Sequence, residues 1–82
     1  MRRLFLGNTK ITYAGLKELA KLQQLTYLNL NLTKITDVGL KEVAKLEHLI
    51  ILFLYDTKVT KAGVAQLQKA LPKCEIYSNA KK

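Results

Sequence analysis

Leucines and their aliphatic substitutes recur along this chain at a fixed interval. Leu4, Leu28, Leu52 and Ile76 fall 24 positions apart, as do Leu6, Leu30 and Leu54. The same shift superimposes Thr9/Thr33/Thr57, Lys10/Lys34/Lys58, Ile11/Ile35/Val59, Gly15/Gly39/Gly63, Leu16/Leu40/Val64 and Leu19/Val43/Leu67. Within each copy the hydrophobic period changes. Leu4 and Leu6 alternate with Arg3, Phe5 and Gly7, the pattern of a half-buried strand. Leu16, Leu19 and Ala20 follow at helical spacing, with Lys17, Glu18 and Lys21 turned outward. A strand and a helix repeating every twenty-odd residues predict a stacked solenoid. Its fold class is α/β, with a parallel sheet on the concave face and α-helices on the convex face.

Three full copies fit at 1–24, 25–48 and 49–72, followed by a capping strand at 73–78 and a polar tail at 79–82. Together 1–78 form the repeat domain. The second copy predicts a strand near Tyr27–Asn31 and a helix from about Asp37 to Leu46. The third predicts an apolar strand at Ile50–Leu54 and a helix from about Lys61 to Ala70, which Pro72 keeps from continuing. The last strand, Cys74–Tyr77, buries Ile76, but Ser78 replaces the next leucine, so the core tapers there. Thr12, Thr36 and Thr60 stand where N-cap hydroxyls are expected. Asp37 alone adds a carboxylate to a first helical turn. The recurrent glycine costs about 1 kcal/mol in a helix. Its recurrence points to a helix start packed so closely on its neighbour that a Cβ would not fit.

The stretch Leu25 to Leu49, with its LxxLxLxxTxITDxGLxxLAxLxxL pattern, resembles a leucine-rich repeat of the ribonuclease-inhibitor-like class. It is similar to the 24-residue bacterial variety and to the cysteine-containing repeats of F-box proteins, with Thr9, Thr33 and Thr57 in the slot often held by Cys or Asn. The ending Ala70-Leu71-Pro72-Lys73-Cys74-Glu75-Ile76 resembles the terminus of such arrays in bacteria, especially planctomycetes. The resemblance implies a horseshoe segment that binds proteins on its concave sheet, without catalysis and without a cofactor. It brings no F-box, so no ubiquitin-ligase role follows from it.

Composition changes the picture little. The chain has 82 residues and a formal charge of +8, which suits nucleic acid, an anionic membrane, an acidic partner or a lysine-rich solvated surface. With one cysteine, Cys74, neither an internal disulfide nor a thiolate cluster can form. Asn8, Thr9 and Lys10 cut the first apolar run too early for a signal peptide. No apolar stretch nears the roughly 18 residues of a membrane span. The expected location is the cytoplasm, an expectation void if the chain is a piece of a longer protein.

Candidate chemistry lies on the concave face, where strand side chains between the buried leucines point. Its rows are Arg3, Phe5, Gly7; Tyr27, Asn29, Asn31; Ile51, Phe53, Tyr55; and Glu75, Tyr77, Asn79. Five of the six aromatics fall in this set, and Phe53 should touch Tyr77. Exposed aromatics mark interaction sites because they bury large area at low entropic cost. The candidate partner-binding residues are therefore Arg3, Phe5, Tyr27, Asn29, Asn31, Ile51, Phe53, Tyr55, Glu75 and Tyr77. The same aromatics could serve self-association, or simply reflect strand preference.

Lys10, Lys34 and Lys58 should form a column beside the sheet. The helix lysines alternate with Glu18, Glu42 and Glu47, as on ordinary solvated faces. Arginine is scarce and no nucleic-acid motif is present, which disfavours nucleic acid as the partner. Thr9, Thr33 and Thr57 are expected to satisfy turn backbone groups. His48 has no Cys or carboxylate at ligand spacing, and Cys74 is expected to be a quiet thiol. No metal motif, phosphate loop or catalytic triad appears. Finally, Leu4, Leu6, Ile11, Leu16, Leu19 and Leu22 form a first layer with a neighbour on one side only. That open end invites a two-fold homodimer, although missing upstream repeats would explain it equally well.

Overall fold

The computed structural model describes residues 2–11 and 13–80. The expected cap at Thr12, the side chain of Arg2, and Lys81 and Lys82 of the tail lie outside the described residues. The element order is β1 (Arg2–Phe5), α1 (Tyr13–Leu19), β2 (Leu25–Asn29), α2 (Asp37–Val43), β3 (Ile51–Leu54), α3 (Lys61–Ala70) and β4 (Glu75–Ser78). The four strands make one parallel sheet in sequential order.

The register is the sequence period. Leu4 pairs with Leu28, Leu28 with Leu52, and Leu52 with Ile76. The one slip is at Arg2, which pairs with Leu25. In-register stacking puts each leucine beside its copy, and the two central layers close completely: Leu28, Leu30, Leu52 and Leu54 are all 0% exposed. The outer layers do not close. Leu4, Leu6 and Ile76 are only partly buried. Leu22, expected in the first layer, is 45% exposed, whereas its copy Leu46 is 1% exposed. The difference is a preceding layer, which Leu46 has and Leu22 lacks.

The first three strands end in the same device. The Thr9, Thr33 and Thr57 hydroxyls donate to the carbonyls of Leu6, Leu30 and Leu54 at 2.6, 2.7 and 3.0 Å. The turn they close needs one residue in the left-handed region. Asn8 and Asp56 fill it in two copies, but the second copy has Leu32 at φ 60°. A leucine there carries a steric cost that Asn and Asp largely escape.

Three local expectations are corrected. Helix α2 stops at Val43 rather than near Leu46, because the next turn tightens to i→i+3 bonds from Lys45 to Glu42 and from Leu46 to Val43. Thr36 has the extended backbone of an N-cap but makes no side-chain cap bond, whereas Thr60 accepts from Gly63 N–H at 3.1 Å. Glu42 is not part of a solvated face. It is buried, and Lys45 reaches its two oxygens at 3.3 and 3.1 Å. Among the described helices α2 alone has a helix packed on each side, so its flank is covered where that of α1 is open.

The recurrent glycine has two different causes. At Gly39 a Cβ would lie 2.6 Å from Leu16 Cδ1 of the preceding layer and 2.8 Å from Ile35 Cγ1. At Gly63 a Cβ would overlap the Asp37 carboxylate. That carboxylate reaches forward out of its own helix. It accepts from Thr60 N–H at 2.8 Å and from the Thr60 hydroxyl at 2.5 Å. Asp37 therefore organises the start of the next helix as well as meeting the dipole of its own.

Two stability predictions follow from these contacts. Asp37→Ala and Gly63→Ala should each lower unfolding stability in urea by roughly 1–3 kcal/mol, through a lost charged hydrogen bond or an overlap. The double variant should cost less than their sum by about 1 kcal/mol or more, because removing the carboxylate frees the space that the alanine needs. Strict additivity would sink this account. Leu32→Asn should raise stability by about 1 kcal/mol by relieving the left-handed backbone, read as a shift of the urea midpoint at unchanged slope.

Candidate functional site

Parallel pairing places Phe5, Asn29, Phe53 and Tyr77 in one column across the sheet, one per strand. Asn29 would interrupt an aromatic run, but the ring of Tyr27, from the adjacent column, bridges the gap. Its centroid is 5.1 Å from Phe5 and 5.6 Å from Phe53. Phe53 then stacks on Tyr77 at 5.1 Å with 18° between the planes, the contact expected from the sequence. Tyr55 joins Phe53 from the side at 6.3 Å. These separations match the strand spacing of about 4.8 Å, which a parallel sheet imposes on side chains in register. All five aromatics of the concave set thus form one connected ladder. Tyr13, the sixth, lies instead on α1 beneath the Lys17 ammonium, 5.4 Å from it.

The ladder is exposed at its rims and better covered in its middle. Phe5 is 63% exposed, and Tyr55 and Tyr77 are also open, while Tyr27 and Phe53 are half-buried. Arg3 and Glu75 are exposed at opposite edges of the column that holds Tyr27 and Ile51. That column carries opposite charges at its two ends with apolar surface between them.

The asparagines hold the loops in place as well as standing on the face. Asn29 Oδ1 accepts from Asn31 N–H at 3.0 Å. Asn31 Oδ1 accepts from Tyr55 N–H at 2.8 Å, one repeat away. Asn79 takes Asp56 N–H at 2.9 Å and donates Nδ2 to the Asp56 carboxylate at 2.9 Å. The third turn, which carries Tyr55, is therefore held from both flanks. Asn79 repeats the position of Asn31, so the signal was present in the period but lay at the start of the polar tail. Gln68, which ties Leu71 and Cys74 carbonyls at 3.0 and 2.8 Å, carries no such signal, since its copies are Ala20 and Ala44.

His48 is exposed on the turn before β3, and Cys74 is buried. Burial, reinforced by the nearby Glu75 carboxylate, pushes the Cys74 thiol up from 9.0 to about 11. Among the described residues, no three His, Cys, Asp or Glu side chains gather where they could hold a metal ion. No helix among the described residues is long and apolar enough to cross a membrane.

Parallel strands in register, convex helices and a threonine after each of the first three strands set the context for the comparison with known families. A family model described as Leucine Rich repeat matches residues 21–44. The match supports a leucine-rich-repeat protein. It spans one repeat length, and the flanking leucine-rich copies carry the same leucine, threonine and glycine positions. Leucine-rich-repeat domains generally mediate protein–protein interaction and are typically non-enzymatic. A comparison with curated proteins gives no match.

The raised thiol has two measurable consequences. At pH 8 iodoacetamide should alkylate Cys74 in the folded protein on the order of a hundredfold more slowly than after unfolding, since the thiolate is the reactive form. The unfolded thiol also ionises first, so folding stability should fall as pH rises from 9.0 toward about 11. Cys74→Ala should lack that part of the slope in urea titrations at matched pH.

Proposed function

We propose that this chain is a non-catalytic protein-interaction module that seats a partner on the aromatic ladder of its concave sheet. The single observation that carries this reading is the connected run Phe5–Tyr27–Phe53–Tyr77, with Tyr55 beside Phe53, on a sheet face against which none of the described helices packs. Contiguous exposed aromatics are costly to leave in water and are the residue types that dominate interface energetics. Arg3, Asn29, Asn31, Ile51 and Glu75 complete the face and supply polar and aliphatic contacts around the rings. The module comprises residues 1–78. Its repeats are of the ribonuclease-inhibitor-like, 24-residue bacterial type, and it uses no cofactor.

A second reading has its own support. The first layer leaves Leu22 exposed and Leu4 and Leu6 half-covered, beside the free edge of β1. Two copies meeting edge to edge about a two-fold axis would cover these residues and bring two ladders end to end at Phe5. In that reading the module is a self-associating structural unit.

Two measurements separate the readings. The double change Phe53→Ala and Tyr77→Ala should abolish partner capture from cell extract while the chain stays folded, with unfolding stability lowered by about 1–3 kcal/mol through the lost contacts of Phe53 with Tyr27, Tyr55 and Tyr77. Light scattering coupled to size exclusion at tens of micromolar should give a monomer if the ladder alone is the interface. A dimer that dissociates on Leu22→Lys, with no partner captured by the parent, would instead establish self-association.

A further inference from the structure

Two columns of the concave face carry a pattern that reverses from one edge of the sheet to the other. Strand register sets Arg3, Tyr27, Ile51 and Glu75 side by side in the first, and Phe5, Asn29, Phe53 and Tyr77 in the second. The first begins with a cation on β1 and ends with an anion on β4, and both residues are exposed. No ion pair among the described residues holds Glu75. Between the charges lie Tyr27 and Ile51, half-buried. The second column has an aromatic ring at each end, with Phe5 63% and Tyr77 39% exposed.

Such a face is complementary to itself. A second copy can lie over it, related by a two-fold axis that runs parallel to the strands and between β2 and β3. Then β1 lies over β4 of the second copy, and β2 over its β3. Each column meets itself reversed. Arg3 faces Glu75 of the second copy, and Glu75 faces its Arg3. Tyr27 faces Ile51, Phe5 faces Tyr77, and Phe53 faces Asn29. Opposite charges meet at both rims, and each ring of the two middle strands meets a smaller side chain. The operation keeps the strands of the two sheets aligned, as is usual for sheets packed face to face about 10 Å apart. An arginine and a glutamate reaching from opposite sides close that gap. The other two-fold arrangement, with its axis across the strands, sets β1 over β1 and β4 over β4. It brings like charges together at both rims, which is unfavourable.

Area limits the strength of the pair. Four strands at about 4.8 Å, each offering four or five residues at about 3.3 Å, make a flat face of roughly 250–300 Å². A standard interface buries about 800 Å² per partner. The +8 charge of each copy also opposes association, although a screening length of about 8 Å at physiological salt confines that repulsion to near neighbours. The pair is therefore weak, dissociated at tens of micromolar and populated at hundreds.

We infer that an occupant of the concave face is a second copy of this chain, docked face to face about a two-fold axis with Arg3 of each copy on Glu75 of the other. This assignment rests on the concave-face reading above and names an occupant for that face. The contact keeps the rings from water until a tighter-binding partner displaces the copy.

Sedimentation equilibrium from about ten micromolar to about one millimolar tests it. The parent should dimerise with a dissociation constant on the order of hundreds of micromolar. Arg3→Glu alone and Glu75→Arg alone should each raise that constant about tenfold or more, because each sets like charges together at two places in the dimer. An equimolar mixture of these two variants should associate within about threefold of the parent, since one carries acids at both ends of the column and the other carries bases. The chain with both changes should behave the same way. Phe53→Ala with Tyr77→Ala should weaken the dimer about tenfold. Circular dichroism checks that every variant is folded. A parent that stays monomeric at the highest concentration overturns the inference, and so does a mixture that associates no better than its components. A dimer indifferent to Glu75→Arg but lost on Leu22→Lys is the edge-to-edge pair, and overturns the face-to-face one. In each of these cases, capture of a different protein that needs Phe53 and Tyr77 would leave the interaction reading standing.

Discussion

Each layer of leucines in this solenoid is closed by the layers stacked against it. That dependence governs the rest of the structure. Leu28, Leu30, Leu52 and Leu54 lose all contact with solvent because a repeat layer lies on either side, while Leu4, Leu6 and Ile76 have a layer on one side only. At about 1.5–3 kcal/mol for each fully buried aliphatic side chain, the contacts between layers outweigh anything a single repeat could supply alone. Stability in such an array is a sum over neighbouring pairs. The central repeat is therefore the best supported, and the first is the least.

Stacking leucines secures the sheet but does not position the loops at its two ends. Polar bonds between repeats do that. Asp37 reaches from the second copy to Thr60 in the third, and Gly63 leaves room for it. Asn31 and Asn79 hold the Tyr55–Asp56 turn from opposite sides. All of these converge on the third copy, the one that contributes Phe53 and Tyr55 to the ladder. The residues that stiffen the turn and those that present the rings share one segment of chain.

The division between shared and variable positions follows from the geometry of a strand. Side chains alternate, so every second residue enters the core and must match its copies, while the intervening residue faces outward and is free to differ. The concave face collects the free positions. Sheet register brings them within about 5 Å of each other, turning residues 22 to 26 apart in sequence into neighbouring rings.

The period alone determined the strand order, the register, the helical face of Leu16 and Leu19, the threonine after each of the first three strands and the aromatic content of the concave face. It could do so because identical layers stack in only one register, and burial enforces it. Tertiary structure decided what depends on a residue's surroundings rather than its type. Leu22 is open and Leu46 closed, although both are leucines at the same position, because only one has a preceding layer. Glu42 is buried because α2 is flanked on both sides. Gly39 and Gly63 share a position and answer to different neighbours, Leu16 in one case and the Asp37 carboxylate in the other. The bridge of Tyr27 across the Asn29 gap, which makes one ladder of separate aromatics, depends on which way a ring leans. A repeat specifies the positions its copies share. The contacts between unlike residues appear only once the layers are stacked.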